Sequence, residues 1–274
     1  MTTTTATTTT VPTTTPTASP TYGLTPTRIL RSEWHKLWTV RSTWFTLLTA
    51  AALVLGVGIL MGATYTSDGG DSDVDTVVLT LYGTQLGGIA LAVLGILVTA
   101  GEYATGMVRA SLTAVPRRLP VLWAKAAVYT ATVFALSLAT AVLTFLTAQV
   151  FLSDSDQAAS LTDDGVLAAI AGNAAGVTLL GVIALGLGAG LRSVPGAIGA
   201  FVGGVMIVPE ILGMLPYEAM DTAIRYFPTQ AAGALGSATP MPGAASPGAA
   251  LLALLLWAAA ALAVPALLLK RRDV

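Results

Sequence analysis

Few side chains of this 274-residue chain can do chemistry: it has 14 Asp and Glu, 13 Lys and Arg, one histidine and no cysteine. Without thiols it can form no disulfide and no Cys-ligated metal site. His35 stands alone, so no histidine cluster can hold a metal, and there is no Ser-His-Asp set or catalytic carboxylate pair. The run "SDGGDSDVD" at 67–75 is only a loose calcium-loop match, because no closing Glu follows its aligned acids. The carboxylates in unusual company are more informative. Glu102 opens "GEYATGMVRASLTAVPRR", residues 101–118, where an acid, several arginines and a proline lie between two long apolar runs. Glu210 lies within an apolar run, directly after Pro209, and an ionisable group inside hydrocarbon is a functional candidate, although its place near one end of the run also lets it reach interfacial water. Gln85, Gln149 and Asn173 are polar side chains in other apolar runs, suited to lining a pathway or to hydrogen bonding between helices.

The elements that must position these groups are membrane helices. Hydrophobic residues make up 54% of the chain and charged ones 10%, against roughly 25% charged in a soluble domain. A crossing helix needs about 20 apolar residues, and six runs meet that length or nearly so: approximately 44–63, 77–100, 126–151, 166–190, 195–215 and 249–269. The fifth, "PGAIGAFVGGVMIVPEILGMLP", is bounded by Pro195 and Pro216 and carries Pro209, which predicts a bend or break near its outer end. Residues 1–26, rich in Thr, Pro, Ala and Ser, have neither a basic nor an apolar signal-peptide region and read as a disordered tail. The remainder, 27–274, reads as one membrane domain.

Charge sets the orientation. Arg28, Arg31, Lys36 and Arg41 precede the first run, Arg109, Arg117, Arg118 and Lys125 separate the second and third, Arg192 separates the fourth and fifth, and Lys270, Arg271 and Arg272 follow the sixth. The loops after the first and third runs, "SDGGDSDVD" and "SDSDQAASLTDD", are acidic. Only Arg225 breaks the alternation, so six crossings with both termini cytoplasmic are predicted by the positive-inside rule. The loop at 216–247 has room for one or two short helices on the outer surface.

Two further elements are predicted on the cytoplasmic side. In "RILRSEWHKLWTVRST", Leu30, Trp34, Leu37 and Trp38 recur at helical spacing while Arg28, Arg31 and His35 lie largely elsewhere. This is the pattern of an amphipathic helix in the membrane interface, although an ordinary positive-inside anchor has the same charges. Between Glu102 and Pro116, Val108, Leu112 and Val115 share one face and Arg109 points away from it. An acid in the first turn and arginines past the end suit a helix dipole. The stretch is a short helix able to transmit a push between two crossings, or a solvated connector.

The loop "GEYATGMVRASLTAVPRRLPVLWAKA" resembles the first cytoplasmic loop of type-2 ABC transporter permeases, bacterial exporters whose membrane subunit has six spans and an N-terminal elbow helix. Glu102, Tyr103, Gly106, Arg109, Pro116, Arg117 and Lys125 match the family pattern. "RSEWHKLWTVRSTWF" is similar to the family's elbow through Glu33, Trp34 and Lys36, with Trp38 on the same helix, and "RYFPTQAAGAL" resembles the outer segment before the last span. The likeness covers about residues 28–272. It implies an all-α integral membrane protein with an elbow helix and a coupling helix at 101–118, in the bacterial cytoplasmic membrane. Glu102 and Arg109 would make polar contacts with an ATPase subunit, present in two copies, and Val108, Leu112 and Val115 the apolar ones. The chain has no GxxxxGK[ST] phosphate loop, so ATP and Mg²⁺ would belong to that partner and this chain would bind no cofactor and be no enzyme. A second permease copy or a related permease completes the expected assembly in lipid, with no nucleic acid.

Two other classes fit the topology. An ion-driven secondary transporter calls for midplane ionisable residues and an internal repeat, and neither is visible. A non-transporting anchor or sensor would use the same cytoplasmic elements without moving cargo. Gly199 with Gly203, and Gly172 with Gly176, have the GxxxG spacing that permits close helix approach.

Overall fold

A computed structural model describes residues 25–66, 74–106 and 118–271, and within them all regular structure is helical. Helix α1 spans Pro26–Thr39, α2 Arg41–Thr64, α3 Thr76–Thr80, α4 Thr84–Ala104, α5 Arg118–Leu152 and α6 Val166–Leu191. The fifth crossing, α7, covers Val194–Gly213, followed by α8 Glu218–Ile224, α9 Pro228–Leu235 and α10 Pro247–Arg271. Six of these, α2, α4, α5, α6, α7 and α10, are long and apolar enough to cross a membrane. Two short helices, α8 and α9, occupy the 216–247 loop in the expected number, but α9 buries Ala231, Ala234 and Leu235 against α6 and α10 rather than lying on a surface.

Three boundaries differ from the sequence reading, each for a local reason. The second run is divided. Asp75 caps α3 by accepting from the Val77 and Val78 amides at 2.9 and 3.2 Å, and a turn at Leu81–Gly83 starts α4 afresh. A Cβ on Gly83 would lie 2.8 Å from the Val54 carbonyl oxygen, so only glycine lets this turn press on α2. Helix α5 begins eight residues before the predicted run; 35 residues extend about 52 Å, because Val121 and Ala124 of its early turns are buried with Ile29 of α1. In α7 the chain does not stop at Pro209. A π-helical stretch, Phe201–Ile207, precedes it. Proline has no N–H and crowds the carbonyl four residues back; that carbonyl, on Val205, accepts instead from Thr229 Oγ1 at 3.4 Å.

Helices α4 and α6 form the centre. In lipid, helix association depends on close van der Waals fit and interhelical hydrogen bonds. Thr99 Oγ1 of α4 donates to the Leu185 carbonyl of α6 at 2.9 Å. Fully buried Tyr129 of α5 donates to the Leu91 carbonyl at 2.6 Å, and its ring lies over Gly95 and Gly181. Of the two GxxxG pairs, Gly172 and Gly176 receive α9, at Leu235 and Ala232, whereas Gly199 and Gly203 face open space. A Cβ on Gly181 would strike the Tyr129 hydroxyl, which Leu91 holds in place. Gly181→Ala is therefore expected to destabilise by about 1–3 kcal/mol. Gly199→Ala, with nothing within 4 Å, should leave stability unchanged or raise it by about 0.5–1 kcal/mol. Thermal unfolding of both variants in detergent measures the contrast.

Candidate functional site

Helix α1 buries Ile29, Glu33 and Leu37, spaced i, i+4, i+8 along one face. An acid in the middle of a buried apolar stripe needs a partner, and α5 supplies Lys125. Its Nζ lies 2.6 Å from Glu33 Oε2 and 2.6 Å from Glu102 Oε1, at the end of α4. Lys36 completes the group, with Nζ 2.8 Å from Glu33 Oε1 and 3.3 Å from Glu102 Oε1. Among the described residues the node holds two carboxylates and two ammonium groups, so their charges balance. Glu33, Glu102 and Lys125 are buried, and the Lys36 side chain is 32% exposed. Burial by itself lowers the Lys36 pKa, but the hydrogen bond and charge of Glu33, then those of Glu102, outweigh it and hold the pKa above the ordinary lysine value. The node joins three segments far apart in sequence, and two of them, the end of α4 and the start of α5, flank residues 107–117.

Several predicted residues take unexpected positions. Glu102, expected to face a partner subunit, is 8% exposed and turned into the node. The α1 stripe that packs on the bundle is Ile29–Glu33–Leu37. Leu30 and Trp34 are exposed on another face, where Trp34, Trp38 and Trp44 stack in series with ring centroids 5.5 and 4.9 Å apart. Tyr103 lies under the Arg192 guanidinium, 5.2 Å from it, which ties the end of α4 to the end of α6. Gly106 has φ 72°, and its amide donates to the Tyr103 carbonyl at 3.3 Å. That left-handed conformation is the usual helix exit, cheap only for glycine. Val108, Arg109, Leu112, Val115, Pro116 and Arg117 lie outside the described residues. Lys125 was legible as a basic flank, but its pairing with Glu33 across 92 residues has no sequence period to reveal it. The available signal was Glu33 at the centre of an i, i+4, i+8 stripe.

Beside the node, a cavity of about 370 Å³ opens between α1, α2, α4 and α5, with Glu33, Lys36, Glu102 and Lys125 at its charged edge and Leu94, Val98 and Tyr129 among its walls. At the opposite, acidic-loop end, a cavity of about 470 Å³ lies between α4, α6, α7 and α9. Gln85, Asn173 and Glu210 all line it, so three of the four candidate pathway residues converge. The fourth does not. Gln149 Nε2 donates to Thr76 Oγ1 and the Gln157 carbonyl at 3.2 and 3.3 Å, and its Oε1 accepts from the Ala159 amide at 2.9 Å, so it pins the loop after α5. Glu210 Oε1 accepts from Gln230 Nε2 at 3.0 Å, and Asn173 Nδ2 donates to Thr84 Oγ1 at 3.2 Å. At about 100° per residue, the α4 residues at the acidic-end cavity (85, 88, 89) and those at the basic-end one (94, 98, 101) lie on opposite faces of that helix.

Among the described residues no group of His, Cys, Asp and Glu is placed to hold a metal ion. Asp75 of the acidic run instead accepts from the Thr239 amide and hydroxyl at 2.7 and 2.9 Å, fastening that loop to the segment after α9. The chain matches no known protein family, and no curated protein matches it.

The node predicts an order of sensitivity. Lys125→Met leaves two buried carboxylates sharing Lys36 and should cost about 3–5 kcal/mol, whereas Lys36→Met, at a partly exposed site, should cost about 1 kcal/mol or less. Adding Glu33→Gln and Glu102→Gln to Lys125→Met should recover part of the loss, and detergent thermal melts read all three. Because the Lys36 pKa is raised on folding, its contribution is fully present below the ordinary lysine pKa of 10.5. It is lost as pH climbs through the raised value. The gap between the parent chain and Lys36→Met should therefore stay constant through neutral pH and close only in alkali.

Proposed function

We propose that this chain is the membrane-spanning permease subunit of an ATP-driven ABC transporter, exporting a hydrophobic or amphipathic compound across a bacterial cytoplasmic membrane, with both termini in the cytoplasm. The observation that carries this reading is the four-charge node at the two ends of the 107–117 segment. A load applied to that segment enters the membrane through the end of α4 and the start of α5. Lys125 grips both Glu102 and the α1 residue Glu33, so the three helices respond together.

In this reading α1 is the elbow helix, its tryptophan face lying in the interface. Residues around Arg109, with Val108, Leu112, Val115 and Arg117, make the contact with the ATPase. Glu102 transmits rather than touches, since its carboxylate is already held inside the protein. ATP and Mg²⁺ are bound by two copies of that separate subunit, and a second permease, identical or related, completes the pathway.

The cysteine-free sequence makes sidedness directly measurable. Ser111→Cys should react with an impermeant maleimide only from the cytoplasmic face, and Ser153→Cys only from the outer face. Expressed with the ATPase of its own genomic neighbourhood, the chain should co-purify with it and stimulate ATP hydrolysis, and Arg109→Ala should reduce that stimulation at least several-fold. Labelling of Ser111→Cys from outside, or cargo movement by the purified chain with no nucleotide-hydrolysing companion, would end the proposal.

A further inference from the structure

The cavity at the acidic-loop end has a size and a charge that together select a ligand. Its volume of about 470 Å³ lies within the range of drug-sized sites, roughly 300–1,000 Å³. Most of its wall is apolar, and two aromatic rings, Tyr82 and Phe201, contribute to it. Among the described residues Glu210 is the one ionisable carboxylate of the lining, and no Lys, Arg or His accompanies it. Arg225, on the same end of the bundle, is not among the lining residues. The carboxylate is held by a neutral donor, Gln230 Nε2 at 3.0 Å, which orients it without cancelling its charge. Gln85 and Asn173 add amides that can accept or donate.

An apolar chamber with one uncompensated negative charge and ring faces attracts a cation with an apolar body. The Glu210 carboxylate, exposed at the chamber, supplies Coulomb attraction, Tyr82 and Phe201 bring aromatic rings that attract cations over their faces, and the apolar wall covers the remainder. An anion of the same shape meets repulsion from Glu210, and a neutral molecule gains only the apolar part. The aspartates of the neighbouring loops, Asp154, Asp156, Asp163 and Asp164, add a negative field that draws cations to this end.

We infer that the cavity between α4, α6, α7 and α9 binds an amphipathic monovalent cation, such as a lipophilic ammonium or phosphonium, with Glu210 as its counter-charge. That the ligand is exported cargo rests on the transporter reading, whereas the binding itself does not and can be tested without an ATPase. The full chain in lipid nanodiscs is titrated with tetraphenylphosphonium, tetraphenylborate and neutral triphenylphosphine oxide, with empty nanodiscs subtracted. The phosphonium should bind tightest. Glu210→Gln should weaken it by about tenfold or more and leave the neutral probe unchanged, while Glu210→Asp keeps most of the preference. Gly233 lines the cavity and a Cβ there meets nothing within 4 Å, so Gly233→Phe should abolish binding of the phosphonium with Glu210 intact. An unchanged melting temperature in each variant separates lost binding from lost fold. Equal affinity for cation and anion, no saturable binding, or a phosphonium affinity indifferent to both Glu210→Gln and Gly233→Phe overturns the assignment, whatever the outcome of the ATPase experiments.

Discussion

A lysine buried among apolar helices needs carboxylate partners, and Lys125 finds two, Glu33 and Glu102, whose contacts join three remote segments of the chain at once. One acid comes from α1, the other from the last turn of α4, and the lysine itself from an early turn of α5. Taking ions out of water costs several kcal/mol each, which close pairing only offsets. A node of this kind therefore does more to specify position than to add stability. It makes the start of α5 part of a three-helix joint rather than a loose connector, and it explains why that helix begins well before the hydrocarbon it crosses.

The centre of the bundle obeys a different constraint. Tyr129, Gly95, Gly181 and the Thr99–Leu185 hydrogen bond bring α4 and α6 nearly backbone to backbone, and this contact separates the two cavities. Since they lie on opposite faces of α4, a straight passage within one subunit is blocked by the helix itself. Any molecule travelling between them must go around α4 or use the surface where another subunit would pack. The second permease proposed above would supply such a surface next to both cavities.

The architecture was legible to the extent that hydropathy and charge could carry it. Six apolar runs and a segregation of basic from acidic loops mark the crossings because hydrocarbon thickness and positive-inside bias act on every residue in a stretch. What escaped was pairwise. Of the expected stripe Leu30, Trp34, Leu37 and Trp38, Leu37 is buried and Trp38 packs partly against the core, while Leu30 and Trp34 are exposed; Ile29 and Glu33 complete the packed face, since Lys125 turns a polar position into an inward one. Gln149 reads from sequence as a sibling of Gln85 and Asn173, yet its amide is consumed by the loop that follows α5. Pro209 promised an interruption, and the interruption came earlier and gentler. Residues 107–117, the centre of the functional reading, lie outside what the structure describes.

The wide turn of α7 gives that crossing a freedom its neighbours lack. A regular α-helix locks all of its residues into one angular phase, whereas a π-helical stretch carries surplus chain within an unbroken rod. At Phe201–Ile207 that surplus sits between the half holding Ala197 against the bundle and the half holding Glu210. Each residue absorbed or released there swivels one half against the other by about 100°, without unwinding the helix and without moving its ends apart by more than a single step. The fifth crossing is thus built like a shaft with a slip joint, whose outer half is held in its present bearing by Thr229 and Gln230 of α9.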